Sequence, residues 1–286
     1  MELQRVVVVG SGNLAEALAT AVARNGVQLV QVFARNRQRG PKVARLAGLT
    51  ARAADTESAG DVGIHVCGDS CATAVPAWTD DPQQLATADL YLLAISDRAV
   101  AEVAEALPIP ETAVVAHTAG SVPLDALARF ARRGVLYPLQ TFTAGRPVDF
   151  GAVPLFLEAS TPEVLDALEG FARRLSRTVC RADSAQRARI HLAGVFACNF
   201  ANAMYAAGET ILQHAGLPYP LIKTLIAETA AKACEAASPR DVQTGPAVRN
   251  DRATQERHEA LLADDPQLQT IYRLISKQIW ETSKKR

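Results

Sequence analysis

The chain begins its regular structure with four consecutive valines at residues 6–9, the pattern of a short strand buried on both faces. A glycine-bearing turn follows, Gly10-Ser11-Gly12-Asn13-Leu14-Ala15. Residues 16–24 are then rich in helix formers and are closed by Asn25-Gly26. Residues 29–33 predict a second strand, and residues 41–46 a short second helix that opens at Pro41 and stops at Gly48. Residues 49–81 break the pattern into short apolar pieces among Gly, Asp and Ser. They predict an excursion, for instance a hairpin, before the sheet resumes. Strand patterns recur at residues 90–95, 113–116, 134–140 (a strand and its loop), 153–158 and 178–181, with a short helix starting at Asp80-Asp81-Pro82 and helical patterns at 99–107, 124–132 and 162–175 between them. Strand alternating with helix implies an α/β fold: a Rossmann-like, doubly wound, mostly parallel sheet. Beyond Asp183 the period changes. Ile190, Ala193, Ala197, Phe200, Met204, Ala207 and Ile211 are spaced by three and four, which predicts one long helix over residues 184–214. Pro218 and Pro220 break it, residues 221–237 predict another helix, and two or three more finish the chain. The expected organisation is an α/β domain over residues 1–182 and an all-helical domain over residues 183–286.

Composition narrows the function classes. Thirty basic and thirty acidic side chains cancel, which argues against a nucleic-acid partner. No apolar run approaches the ~20 residues that span a bilayer, and the short run at residues 6–9 is not a signal peptide. Five cysteines, an odd number, read as free thiols in a reducing compartment, so a cytoplasmic protein is expected. His65, Cys67 and Cys71 form H-x-C-x-x-x-C, but no fourth ligand accompanies them, and no metal is expected.

The glycine turn carries the strongest chemical signal. It reads G-x-G-x-x-A directly after a buried strand and before a helix. Gly10 suits the tight turn, Gly12 lets a pyrophosphate approach the backbone, and Ala15 keeps the helix close to the sheet. The helix N-terminus then offers free N–H groups and the positive end of its dipole. Ser11, Asn13 and Leu14 complete the expected phosphate cradle. An NAD site places Asp or Glu at the end of the second strand, whereas here that position reads Arg35-Asn36-Arg37. Guanidinium groups match a ribose 2′-phosphate in charge and geometry, so NADP (NADPH) is the expected cofactor. Solvated loop charges are the plainer reading of Arg35 and Arg37.

Ligands of doubly wound sheets lie beyond the strand C-termini. Those ends carry Ile95, Ser96, Asp97 and Thr118 as further cofactor candidates, His117 as a substrate-side candidate, and Tyr137. On an uninterrupted helix at ~100° per residue, Asn202 and Asn199 lie about 20° and 80° from His191, opposite the apolar stripe. His191 is then a candidate proton donor, with Asn199 as its catalytic companion and Asn202 binding substrate. Hydrogen bonds between helices are the alternative. Arg249, beside Asp251, could clamp a substrate carboxylate or simply hold the loop.

These residues together resemble an uncharacterised bacterial family of Rossmann-like proteins with a C-terminal helical domain of unknown function. That family is described loosely as NADP oxidoreductase, or as deazaflavin-coenzyme-dependent NADP oxidoreductase-like. The stretches that carry the resemblance are Gly10 to Ala15, Ala94 to Asp97, His117 to Pro123, Tyr137 to Phe142, His191 to Phe200 and Thr244 to Asp251. More remotely the chain is similar to pyrroline-5-carboxylate reductase and to the 6-phosphogluconate and 3-hydroxyisobutyrate dehydrogenases. The resemblance implies hydride transfer to or from a small carbonyl, hydroxy-acid or imine substrate in a cleft between domains, and a homodimer built through the C-terminal helices. It does not supply a substrate. The hydroxyacid dehydrogenases carry a catalytic lysine on the first long helix with Asn four residues later. Here that helix has no lysine, and Val195 stands four residues after His191. The serine- and threonine-rich loop that grips proline in the reductases is replaced by Gln243-Thr244-Gly245-Pro246. A non-catalytic NADP-binding sensor or scaffold is the competing reading.

Overall fold

The computed structural model describes residues 1–58 and 75–284. Strand β1 (Arg5–Val9) is central, and its valines alternate: Val6 and Val8 enter the core on one face of the sheet, Val7 and Val9 the core on the other. Helix α1 (Asn13–Arg24) returns the chain to β2 (Gln28–Phe33), which lies parallel to β1 with Val9 beside Phe33. Helix α2 (Arg39–Ser58) precedes the edge strand β3 (Ala77–Thr79). The chain then crosses to the other side of β1 and lays down β4 (Leu90–Leu93), helix α3 (Val100–Ala106), β5 (Val114–His117), β6 (Arg133–Pro138), β7 (Leu155–Ala159), helix α4 (Pro162–Leu175) and β8 (Val179–Arg181). The strand order is β3-β2-β1-β4-β5-β6-β7-β8, with the β6–β7 pair antiparallel and the other neighbours parallel. The order reverses between β1 and β4, so their C-terminal ends flank the crevice where doubly wound sheets take ligands.

The structure corrects several expected elements. The second helix does not stop at Gly48 but runs on to Ser58. Gly48 is there for packing: a Cβ on it would come within 3.1–3.2 Å of Val75 and Pro76. Gly40, in the first turn, likewise makes room for the Trp78 indole. Pro41 stays in that first turn, where its missing N–H costs nothing. The helix expected over residues 124–132 shrinks to a single 3-10 turn, Leu124–Leu127. Beyond it, Arg129 donates to the carbonyls of Ala104 and Leu107 and ties the segment to the end of α3. The remainder of the expected excursion, with His65, Cys67 and Cys71, lies outside the described residues.

Two compact units are formed, Met1–Ala197 and Cys198–Arg286. The expected domain boundary near Asp183 marks the start of the helical run, and the units divide later, within that run. The expected long helix over residues 184–214 is found as one continuous helical run, but its interior is not α-helical throughout. Helix α5 (Ser184–Gly194) passes into a π-helical segment, Val195–Phe200, and then into α6 (Ala201–His214). The second unit continues with α7 (Lys223–Glu235), α8 (Arg252–Leu261) and α9 (Pro266–Ser283). Among the described residues no helix is long and apolar enough to cross a membrane.

Helix α5 belongs to the first unit, and one buried cation ties it to the sheet. Asp183 and Gln186 form a reciprocal capping box at its start. One turn in, Arg187 is 1% exposed and pairs with Glu158 on β7 while donating to the Val122 carbonyl. Ser184 Oγ donates to the same carboxylate at 2.8 Å. Removing one partner of such a pair strands the other charge in the interior. Glu158→Gln is therefore expected to lower unfolding free energy by ~3–5 kcal/mol in urea titration. A loss below ~1 kcal/mol, the range of exposed pairs, would show that water screens Arg187.

Candidate functional site

At the end of β1 the backbone at Gly10 takes φ +133°, and a Cβ there would lie 2.2 Å from the Ala94 carbonyl oxygen. Only glycine lets the strand end touch its neighbour in this conformation. Gly12 has a different task. Its own backbone is extended, it caps α1 without any side-chain hydrogen bond, and a Cβ on it would meet nothing within 4 Å. The space before the α1 N-terminus is open, and the helix dipole points its positive end there.

That space belongs to a cavity of about 570 Å³ between the turn of residues 10–14, the β2 end at residues 33–36 and the β4 end at residues 94–96. The structure thus brings together Gly10, Ser11, Gly12, Asn13, Leu14, Arg35, Asn36, Ile95 and Ser96 on one wall system. Arg35 is exposed and makes no ion pair among the described residues. Asn36 turns its Oδ1 back to accept from the N–H groups of Gln38 and Arg39, at 3.1 and 2.9 Å, which starts α2. Asn13 is a bridge: its Oδ1 accepts from Arg39, and its Nδ2 donates to the Phe142 carbonyl. An uncapped helix N-terminus, an open Gly12 and an unpaired guanidinium on one cavity fit a phosphate-bearing dinucleotide.

Three expected cofactor residues do not line this cavity. The Arg37 guanidinium pairs instead with Asp80 on the surface. Asp97 accepts a hydrogen bond from Ser121. Thr118 is buried and donates its hydroxyl proton to the Leu93 carbonyl at 3.2 Å.

A second cluster forms at the ends of β5 and β6. His117 is fully buried, which is at odds with a direct substrate contact. Its Nδ1 accepts from the Ala119 N–H at 3.2 Å, and its ring also interacts with the Pro123 backbone, which favours the protonated form. Burial, with the Arg187 cation adding to it, pulls its pKa down to about 4, so the ring is neutral at physiological pH. Tyr137 ends beside α5, its Oη 3.1 Å from His191 Nδ1, with the two rings edge to face. Burial raises the Tyr137 pKa, and the Asp97 carboxylate adds to the effect. Gly120 sits against both rings: a Cβ on it would lie 2.7 Å from Tyr137 Cζ and 2.8 Å from His191 Nδ1. The half-buried His191 is therefore held through one nitrogen. The sequence pattern does not single out Gly120, Arg187 or Arg39, whose roles come from contacts between distant segments.

Asn199, Asn202 and Arg249 are exposed and belong to the second unit. The common face expected for His191, Asn199 and Asn202 assumed an unbroken α-helix. The π-helical turn over Val195–Phe200 changes the angle per residue, so that projection does not carry past Gly194. Asp251 caps α8, accepting from the Thr254 N–H and hydroxyl, and leaves Arg249 exposed. Among the described residues no group of His, Cys, Asp or Glu is arranged to hold a metal ion.

Comparison with known proteins places these features in context. Residues 153–279 match a domain of unknown function, DUF2520. The chain is similar to the crystal structure of a "putative NADP oxidoreductase" from Bacteroides fragilis, with 36% identity over 98% of both chains and a TM-score of 0.80. A protein from Thermotoga maritima shares the fold, with a TM-score of 0.75 and 18% identity over 98% of this chain and 99% of that one. No curated protein matches the sequence.

The two glycines should respond oppositely to substitution. Gly12→Val is expected to keep the wild-type melting temperature and lose NADPH binding in calorimetry, because its side chain fills only the open space. Gly10→Ala is expected to lose about 2 kcal/mol or more of stability from positive-φ strain and collision with Ala94. Wild-type NADPH affinity in Gly12→Val would contradict the assignment of the turn.

His117 makes stability pH-dependent. Its pKa is lower in the folded state than the ordinary histidine value, so its contribution is complete above pH ~6.5 and is lost as pH falls toward 4. Between pH 7 and pH 4 the wild type should lose about 3 kcal/mol more than His117→Gln in urea titrations. Parallel pH curves for the two proteins would show that the ring protonates freely in the native state.

Proposed function

This chain belongs to the Rossmann-like oxidoreductase family of the Bacteroides fragilis protein, and from that premise we propose that it is an NADP(H)-dependent enzyme. Its proposed reaction moves a hydride to or from a small carbonyl, hydroxy-acid or imine substrate. The observation that carries the reading is the shared cavity of the uncapped α1 N-terminus, the open Gly12 and the unpaired Arg35. The backbone N–H groups at the start of α1 bind the pyrophosphate, and Arg35 binds the 2′-phosphate. The bound nicotinamide supplies or accepts the hydride. His191, held by Tyr137, gives the proton to the substrate oxygen or nitrogen in reduction and takes it back in oxidation. A sensor that only binds NADP needs the turn and Arg35 but has no use for a histidine held this way beside the strand ends, which favours the enzyme.

Assembly is the second part of the proposal. Helix α7 buries none of its residues, and Leu225 and Leu261 are 66% and 83% exposed. Leu221 and Leu274 are exposed as well. Apolar surface on this scale calls for a covering partner, and we assign that role to a second copy of the chain.

Calorimetry is expected to show NADPH binding at least ~10-fold more tightly than NADH, a difference of ~1.4 kcal/mol. Arg35→Asp should erase or reverse the preference, and equal affinity of the wild type for both would make Arg35 an ordinary surface charge. Oxidation of NADPH in the presence of a panel of keto acids and cyclic imines tests the reaction itself. Light scattering at micromolar concentration should give the mass of a dimer, and Leu225→Asp should shift it toward the monomer. A monomeric wild type would refute the assembly.

A further inference from the structure

Tyr137, His191 and Gly120 come from three separate segments, and their meeting is tightly built. The Tyr137 ring lies at the end of β6 with Phe156 of β7 at 6.4 Å between centroids. Its hydroxyl has His191 Nδ1 as its hydrogen-bond partner, at 3.1 Å. Gly120 fills the remaining side without a side chain, and any Cβ there would push phenol and imidazole apart. Helix α5 cannot drift away from this contact, because Arg187, one turn before His191, is locked to Glu158 and to the Val122 carbonyl. Val122 lies two residues beyond Gly120, so the same guanidinium fixes both the loop and the helix.

An imidazole held through Nδ1 has only Nε2 left for exchange with another molecule. We propose that Tyr137 is the positioning residue for His191: its hydroxyl engages Nδ1 and leaves Nε2 as the nitrogen that exchanges a proton with the substrate. Gly120 is the residue that permits the contact. This role rests on the oxidoreductase reading above. In the reducing direction the imidazolium donates Nδ1–H to Tyr137 Oη and gives its Nε2 proton to the substrate oxygen as the hydride from NADPH reaches the adjoining carbon. The product alcohol leaves with both hydrogens, and His191 is left neutral with its remaining proton on Nδ1. In oxidation the Nε2 lone pair takes the proton back. A phenol suits this position because it can accept from Nδ1–H or donate to a bare Nδ1, and it need not ionise. The charged groups that act on Tyr137 are Asp97 beyond β4 and Arg187 on α5, the latter paired with Glu158 on β7. The Arg187 charge is matched by Glu158, so the pair does not face a bare cation.

The test reads His191 directly and needs no substrate. Protein labelled with ¹⁵N in histidine is titrated from pH 5 to pH 9 in the wild type, Tyr137→Phe and Gly120→Ala, and NADPH affinity is measured for each by calorimetry. Tyr137→Phe is expected to bind NADPH within about twofold of the wild type. Its His191 Nδ1 signal should move toward that of an imidazole nitrogen without a protein hydrogen-bond partner. Gly120→Ala, which keeps the phenol, should show the same change if it folds, and Tyr137→Phe decides the matter if it does not. Unchanged His191 ring-nitrogen signals in Tyr137→Phe, with NADPH still bound, would overturn the positioning role alone. A wild type that binds no NADPH would overturn the reading beneath it.

Discussion

The backbone at Gly10 must leave the sheet while its Cα lies against the Ala94 carbonyl, and the whole cofactor edge depends on that contact. A side chain there would collide with the neighbouring strand end, so β1 and β4 could not stay in register as the chain turns into α1. The turn in its turn places Gly12 at the head of the helix with open space before it. Hydrogen bonds from the Gly10 N–H to the Phe33 carbonyl, and from the Ala94 N–H to the Val9 carbonyl, hold the three strand ends together. Arg35 therefore emerges beside the helix N-terminus rather than elsewhere on the surface. One steric constraint fixes the relation between the helix dipole and the guanidinium on which the proposed dinucleotide site rests.

A second constraint governs the opposite side of the edge. Arg187 is buried with its carboxylate partner, and the cost of taking both ions out of water is offset only while the pairing holds. Such a pair is a weak source of net stability but a strong source of geometry, since any shift of α5 exposes an uncompensated charge to the interior. The result is a helix docked with enough precision for His191 and Tyr137 to meet across a glycine.

Much of this was readable in the linear sequence. The buried valine run, the glycine turn and the helix after it are local, and each residue's task there follows from backbone chemistry alone. The arginine at the end of β2 is equally local, and so is the alternation that gives the parallel sheet. The misreadings have physical causes. Gly48 looks like a helix stop because glycine usually is one, but here it serves a close approach by Val75 and Pro76. The π-helical turn at Val195 has the same apolar spacing as an α-helix, so angles projected across it mislead. His117 sits at a strand end, as an active-site histidine would, yet the packing of neighbouring segments buries it completely. The pairing of Tyr137 with His191 joins residues far apart in the chain and is visible only once Gly120 and Arg187 are seen to converge on it.

The dependence of the cofactor edge on the Gly10 turn is tested most directly by an NADPH titration of ¹⁵N-labelled protein, followed through its backbone amides. The largest shifts are expected at residues 11–15, at Arg35 and at Ser96, with β7 and β8 unaffected. NADPH binding that leaves the amides of residues 11–15 unmoved would contradict the assignment and place the nucleotide elsewhere on the protein.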